Sequence, residues 1–460
     1  SASRADFNNC LLAGFLGDAL YVSDEAAVAG GVNLTNCLAL ANGYSANAVI
    51  ENGSSQAPVT LTNCLIQYLA PVHMDSARFV GDVTEVEPLA PGSPKLAHGR
   101  RQALVNLGID DAANVGYFSQ VAALADGYGM KVTSAVDAAD AASADWTTLQ
   151  PLVNAGHEVA AHSARHVYLP ETRLMTLSYS GPGSAAVATV AGSGTAASSL
   201  SVSVTGYPAA NFTLDLTAAA TDTIGEACAA INALGGFNCQ VIRLEGTAYT
   251  SGPVLARDLA QVSGVSILGT TAVLSRDDAQ FFADEIVAPK TIIEANLSAP
   301  GGGAYACASF VYPFLGEDET VRAAVLAAGY GAARSGYNGS FAMGGFYDGT
   351  TPGGYDPLNI WAVEPGDVFG REIDDATLAR RVSAFLEWAK FTGAAVSLFS
   401  HGAGEYSLSE WSALLPLLAA DPGVAVTTLA GIRQYVQDNA QSSSNAVFVR
   451  TAWPDVADYR

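Results

Sequence analysis

From about residue 100 the chain alternates short β-forming runs with helical stretches: ALVNLGIDD, YFSQVAALADGYG, MKVTSAVD and ADWTTLQPLVNAGHEVAAHS follow in order. Where a helix separates two strands, the crossover returns the chain to the starting edge and the strands lie parallel. The alternation therefore predicts an α/β domain built on a parallel sheet. It breaks after Leu169 and resumes at RDDAQFFADEIVAPKTIIEANL, continuing through VRAAVLAAGYGAARS, LARRVSAFLEWAKFTG, AAVSLFSHG and LSEWSALLPLLAA. The interval 171–275 is instead rich in Ser, Thr, Gly and Ala. It holds the period-two runs AVATVAG, SLSVSVTG and NFTLDLT, one amphipathic helix, TIGEACAAINAL, and a further strand, FNCQVIRLEG. Period two marks strands with one buried face, so this interval predicts a separate β-rich domain inserted into a loop. Cys228 on its helix and Cys239 on its strand either pair or sit in the core as two free thiols.

The N-terminal segment repeats itself. FNNCLLA begins at Phe7, LTNCLAL at Leu34 and LTNCLIQ at Leu61, so that Asn9, Asn36 and Asn63, then Cys10, Cys37 and Cys64, then Leu11, Leu38 and Leu65 recur every 27 residues, with Val32, Val59 and Val86 in the same register. A period of this length, rich in β-formers and lacking a helical stripe, suits one coil of a parallel β-helix with Asn side chains stacked in a column and Cys and Leu facing inward. The repeat resembles right-handed β-helix proteins of the polysaccharide-lyase and tailspike type, and LAPGSPKLAHG (Leu89 to Gly99) resembles the segment that closes such helices. Three coils are few, which points either to a longer β-helix upstream or to coils that cap a neighbouring domain or another subunit. The chain thus divides into coils and closing segment at 1–92, the α/β domain at 93–170 and 276–440, the insert at 171–275 and a C-terminal tail at 441–460.

Charge narrows the partners. Against 44 acidic residues stand 21 Lys and Arg, a net charge of −23 over 460 residues, which repels phosphate backbones and anionic lipid and excludes nucleic acid as an expected partner. The same field attracts cationic polymers, although acidity also serves plain solubility. No run approaches the 18 to 20 apolar residues of a membrane span, and no signal peptide stands at Ser1, which suits a trimmed, mature segment. The six cysteines lack CxxC spacing, so no zinc ribbon or thioredoxin-like motif is present.

Several strings carry candidate chemistry. Asp110 and Asp111 stand at the end of a predicted strand in GIDDA, and the C-terminal strand ends of a parallel α/β barrel are where catalytic groups collect. Adjacent aspartates can divide labour there, one binding a metal and the other holding the attacking water; such a pair can equally cap a helix. HSARH sets His162 and His166 four apart, a spacing that brings two imidazoles to one side of a helical turn. FVYPFLGED makes an aromatic and proline turn around Phe314, GYGAARSG carries Arg334, and SLFSH ends in His401 after an apolar strand. Each of these strings also has a purely structural reading when taken alone.

Together the strings resemble the polysaccharide deacetylase family, carbohydrate esterase family 4 with the NodB-homology fold. GIDDA resembles its TFDDG motif, GHEVAAHSARHVYL its GHEIxNHTxxHxxL motif, FVYPFLGE its FAYPYG variant and SLFSH its closing leucine-x-histidine motif, in the family's order over about residues 98–168 and 276–435. The resemblance implies a (β/α) deacetylase barrel interrupted by the insert. It implies that Asp111, His162 and His166 bind a divalent metal, zinc or else cobalt or nickel, and that no organic cofactor is needed. Asp110 is then the general base for water, the backbone N–H of Phe314 helps to hold the oxyanion, and His401 protonates the departing amine or alcohol. Val311 stands where the family usually has an arginine bracing the catalytic aspartate, and Arg371 or Arg334 is the candidate to replace it. Ala112 stands in place of a glycine, a change tolerable where φ is negative. His157, in GHE, is not a motif ligand and is expected to orient the loop. Tyr207, Phe212 and Tyr249 of the insert either stack on sugar rings or pack in its core.

The resulting expectation is a metal-dependent hydrolase that removes acetyl groups from an acetylated polysaccharide, with an N-acetyl amino sugar ahead of an O-acetyl ester. The alternative is a carbohydrate-binding or phage-like spike protein whose deacetylase domain is inactive or auxiliary. Either places the chain outside the cell, secreted, at the cell surface or on a virion, and the coil repeat points to a homo-oligomer, a trimer.

Overall fold

The computed structural model describes residues 103–242, 254–335, 357–392 and 395–439, and before them the strands lying between 5 and 85. Asn9, Asn36, Asn63, Cys10, Cys37, Val86, Tyr249, the closing segment 89–99 and the tail 441–460 lie outside the described residues. Two compact units emerge, one of Ser1–Ser134, Pro151–Glu158 and Gly331–Arg460, the other of Ala135–Gln150 and Val159–Tyr330.

In the N-terminal segment the strands pair in parallel. Ala5–Asn8 pairs with Val32–Thr35, Ala5 opposite Val32, and Val32–Thr35 pairs with Val59–Thr62, Val32 opposite Val59. Leu11 lies opposite Leu38 and Leu38 opposite Leu65 in a second ladder. Both ladders step by the 27 residues of the sequence repeat. The last step differs: Val59 pairs with Phe79, not Val86, and Val83 with Cys64. The last step is thus 20 residues in the first ladder (59 to 79) and 19 in the second (64 to 83), shorter than the 27 of the repeat.

The α/β domain is organised by one strand, Ala103–Asp110, whose eight residues are all buried. A strand in the middle of a parallel sheet is covered on both faces, which is why its sequence reads as a continuous apolar run rather than an alternating one. Ala395–Ser400 lies alongside it in parallel, Leu104 opposite Ala395, and Trp361–Val363 pairs with the far edge of that strand. The full order of the sheet is Ala332–Arg334, Ser309–Val311, Glu158–Ala161, Thr133–Val136, Ala103–Asp110, Ala395–Ser400 and Trp361–Val363, with Val424–Val426 added on Ala103–Asp110. The two ends of this order meet. Arg334 and Ile360 form a parallel bridge, Ile360 N–H donating to the Ala333 carbonyl at 2.9 Å and Ser335 N–H to the Ile360 carbonyl at 3.0 Å. Seven strands therefore make a nearly closed (β/α) barrel, as the alternation and the motif resemblance imply.

Asn106 and Glu158, polar side chains buried inside this sheet, are paired, as burial requires. Asn106 donates to Thr133 Oγ1 at 2.8 Å and the Thr427 carbonyl at 3.1 Å, and accepts from Ser397 Oγ at 2.8 Å. Glu158 accepts from Thr133 Oγ1 at 3.0 Å and from the N–H of Ala430 at 3.2 Å, in the first turn of the helix Leu429–Asn439, where the helix dipole favours a carboxylate.

The insert folds as two antiparallel sheets. One has the order Phe237–Val241, Arg173–Tyr179, Thr271–Ser275; the other has Phe212–Asp215, Ala196–Thr205, Ala185–Ser193, Val262–Ser266. The period-two runs do what their pattern dictates: Ala186, Ala188 and Val190 are buried while Val187 and Thr189 between them are not. The helix Ile224–Asn232 starts with a capping box in which Thr223 and Glu226 satisfy each other's backbone N–H groups. Its inner face joins Leu177, Tyr179, Leu200 and Phe237 in a core of the insert's own. Cys228 and Cys239 form a disulfide across 11 residues, which settles the open choice between pairing and two free thiols. Among the described residues no helix is long and apolar enough to cross a membrane.

Closing a loop of this size removes unfolded-chain entropy worth ~3 kcal/mol. Replacing Cys228 and Cys239 together by serine should cost about that much stability within the insert, and hydrogen exchange along Ile224–Asn232 and Phe237–Val241 measures it. Exchange protection equal to the parent chain's would show that the link adds nothing.

Candidate active site

The strand Ala103–Asp110 delivers Asp110 at its last position, with Asp111 just beyond. Asp110 is 1% exposed and ion-paired with Arg334 Nη2, itself 1% exposed. The guanidinium also lies 4.4 Å over the ring of Phe399. Of the two arginines considered for this role, Arg371 is elsewhere: exposed, it donates to the Gly404 carbonyl at 2.9 Å and sits 3.5 Å from Glu364. Gly108, two residues before Asp110, leaves room for the pair in this chain, since a Cβ there would stand 2.7 Å from Arg334 Nη1 and 3.3 Å from Phe399 Cβ.

Asp111 has φ 71°, and the short helix Ala112–Asn114 follows it with no capping bond from the Asp111 side chain. The capping reading of the aspartate pair therefore fails. Ala112 is not among the positive-φ residues, so alanine is accommodated there and the left-handed turn falls on Asp111 instead. Forcing a β-substituted residue left-handed costs ~1–2 kcal/mol, a cost that surrounding structure must hold in place.

His162 follows the buried strand Glu158–Ala161 and is 2% exposed. Its Nδ1 lies 2.9 Å from the Val311 carbonyl oxygen. Because a carbonyl only accepts, Nδ1 carries the proton and Nε2 presents the lone pair, the arrangement a metal-ligating histidine requires. His166 lies four residues on with its ring centroid 4.7 Å from that of His162. The segment between them is not the helical turn that the spacing suggested. It is a tight turn in which Ser163 and His166 have φ of 58° and 52°, and the left-handed steps, rather than helical periodicity, bring the rings together. Phe314 covers His166 from the other side, centroids 4.5 Å apart. Phe314 and Leu315 are themselves left-handed, φ 55° and 58°, after Pro313, while the N–H groups of Leu315 and Gly316 donate to the Tyr312 and Pro313 carbonyls.

One ligand atom from each of Asp111, His162 and His166 lies within 4.8 Å of the others. Two imidazoles and one carboxylate are the donor set of a borderline divalent ion such as zinc, so the residues present fit the metal that the motif resemblance implies.

His401 follows the buried strand Ala395–Ser400. Its Nδ1 lies 3.1 and 3.0 Å from the two carboxylate oxygens of Glu405, which also accepts the His401 backbone N–H at 2.6 Å. Burial alone would pull the imidazole's pKa down. The hydrogen bond to Glu405 and the charges of Asp110, Glu405 and Asp111 outweigh it and push His401 up to about 9. Glu405 is held below its ordinary value, since its bonds to His401 overcome its own burial. Glu364 completes a second group with His401 and Glu405, and burial with the charges of Glu405 and Asp367 raises its pKa.

His157 is structural. Its Nδ1 accepts the Val132 N–H at 3.1 Å and Nε2 faces Asp126 at 3.3 Å, while burial lowers its pKa. It ties the start of its strand to the neighbouring one. In the insert, Phe212 packs edge-on against Phe237, centroids 5.1 Å apart, and Tyr207 is exposed. Sequence reasoning passed over Glu405, although its place four residues after His401 in HGAGE was the available signal. It also passed over Glu285, for which no local pattern exists.

No family model matches the chain. No curated protein matches its sequence. Two solved structures are similar at 12% identity. One is a mutant of BA3943, described as a CE4 family pseudoenzyme with restored enzymatic activity, with a TM-score of 0.34 over 77% of this chain and 75% of that one. The other is the Xyl-CE4 domain of a multidomain xylanase from the hindgut metagenome of Trinervitermes trinervoides, with a TM-score of 0.33 over 77% of this chain and 98% of that one.

Two outcomes follow from the geometry. In the metal-free protein His401 should titrate near 9 by NMR, and Glu405→Gln should lower that value by about one unit or more. Since the folded pKa lies above the unfolded value near 6.5, the stability this group contributes is present in full below that value and fades as pH rises through about 9. A titration unmoved by Glu405→Gln would contradict the pairing. Gly108→Ala should displace Arg334 from Asp110 and cost roughly 1–3 kcal/mol by overpacking, read from denaturant midpoints; an unaltered midpoint would show that the arginine has room to move.

Proposed function

We propose that the chain is a metal-dependent hydrolase that removes acetyl groups from an acetylated polysaccharide, with N-acetyl amino sugars preferred to O-acetyl esters. The observation that carries this reading is the division of labour between adjacent aspartates: Asp110 is fixed by Arg334, while Asp111 groups with His162 and His166. The likeness of four ordered motifs to the polysaccharide deacetylase family supports it.

In this reading Asp111, His162 Nε2 and His166 hold a divalent cation, zinc by the chemistry of the donors. When bound, the cation supplies Lewis acidity to the acetyl carbonyl and the attacking water. Asp110 takes the proton from that water at its carboxylate, and Arg334 holds the carboxylate in place. The Phe314 N–H, turned by its left-handed backbone, is assigned to the oxygen that gains charge in the tetrahedral state. His401 arrives protonated at neutral pH and gives its Nε2 proton to the departing nitrogen or oxygen, with Glu405 holding Nδ1. Base and acid are then two separate groups with opposite charge states at one pH, which is what hydrolysis through a tetrahedral intermediate demands. The Cys228–Cys239 disulfide fits an oxidising compartment outside the cytosol, in keeping with a secreted or surface-exposed protein.

Acetate release from chitin oligosaccharides, poly-N-acetylglucosamine and acetylxylan, measured with zinc-loaded protein, tests the proposal. Asp110→Asn should reduce turnover by roughly 10²-fold or more while leaving bound zinc unchanged, whereas His162→Ala should remove the metal. Zinc-loaded protein that releases no acetate from any of the three, with Asp110→Asn changing nothing, defeats the reading.

A further inference from the structure

We infer that Glu285 is a positioning residue that sets the conformation of the turn carrying His162 and His166; the functional side of the inference rests on the metal-site reading above. Glu285 is fully buried and lies on a single π-helical turn, Ala283–Val287, between the α-helical segments Asp278–Phe282 and Ala288–Asn296. Its Oε2 accepts the backbone N–H groups of both Ala164 and Arg165 at 3.1 Å, and its Oε1 accepts from Arg165 Nη1 at 2.6 Å. Ala164 and Arg165 lie between the two histidines. They are flanked by Ser163 and His166, both left-handed without being glycine.

A turn with two such residues does not hold its shape by local preference, because each side chain opposes the backbone it sits on. Two amide donors captured by one carboxylate, plus an ion pair from the side chain between them, fix the path of the turn from outside. The π-helical turn makes this reach available. The extra residue in that turn places Asp284, Glu285 and Ile286 all inward, where a regular helix would turn one of three consecutive residues away. Asp284 accepts from Arg257 of the insert at 2.7 and 2.5 Å and from Gln280 Nε2 at 2.9 Å, so it serves as a control: a carboxylate, also buried, adjacent, and with no contact to the histidine turn among these hydrogen bonds.

The test compares Glu285→Gln with Asp284→Asn in the full chain. Hydrogen exchange on metal-free protein should show the Ala164 and Arg165 amides exchanging faster in Glu285→Gln and at the parental rate in Asp284→Asn. Zinc affinity by chelator competition should fall by about 10- to 100-fold in Glu285→Gln, the usual cost of losing an outer support of a metal ligand, and by less than about twofold in Asp284→Asn. Unchanged exchange at Ala164 and Arg165 overturns the inference whether or not the protein binds zinc. Equal losses of affinity in the two variants also overturn it, since they would mark a general folding role. A parent chain that takes up no zinc but shows the exchange difference would defeat the metal-site reading and leave the positioning role standing. If Glu285→Gln does not fold, Arg165→Met removes the ion pair alone and should show the same changes at smaller amplitude; none of these changes in that variant would count against the inference.

Discussion

The Arg334–Asp110 pair is the interaction on which the barrel end depends. A carboxylate and a guanidinium, each about 1% exposed, have both left water, and removing one partner of such a pair costs about 3–5 kcal/mol because the other is left charged and dry. The surrounding residues accommodate that demand. Gly108 gives up its side chain to make room, Phe399 offers its ring face to the guanidinium, and the bridge between Arg334 and Ile360 closes the sheet at the residue that carries the charge. Barrel closure and the placing of Asp110 are thus tied to the same residue.

Much of this was legible in the sequence for physical reasons. Strands covered on both faces write continuous apolar runs, and strands covered on one face write alternating ones, so ALVNLGID and AVATVAG declare different sheets. Asp110, Asp111, His162 and His401 could be picked out because each stands directly after or at the end of such a run, and His166 by its four-residue spacing from His162. The backbone between them could not. Nothing in HSARH announces that Ser163 and His166 turn left-handed, and the four-residue spacing invited a helical reading that the turn does not follow. Arg334 and Arg371 were indistinguishable as letters; 224 residues separate Asp110 from the arginine that reaches it, and no local pattern encodes a contact over that distance. Glu285 was invisible for the same reason.

Left-handed residues without glycine recur across these segments: Asp111, Ser163, His166, Phe314 and Leu315. Each follows a strand of the barrel within a few residues. Parallel strands deliver their ends to one face, but a side chain leaving a strand in extended conformation points along or across the sheet rather than back toward a shared point. A left-handed step redirects the chain within one residue, and it is affordable because the strand before it is buried and rigid. The strain is a price of convergence, and its concentration in the histidine and proline turns says where precise aim is required.

The π-helical turn at Ala283–Val287 bears on how the insert can be treated as a module. By sequence it looks removable, since 171–275 has its own core and its own disulfide. Yet Arg257, inside that interval, grips Asp284, and Arg276 at its border donates to the Leu169 and Glu171 carbonyls at the other end of the same splice. A shortened chain joined across the boundary would inherit a buried acid with no counter-charge one residue away from Glu285. Grafting and domain-swapping experiments in this protein therefore need to carry the acid and its arginine as one inheritance unit, with the true seam lying inside the helix rather than at the edge of the β-rich segment.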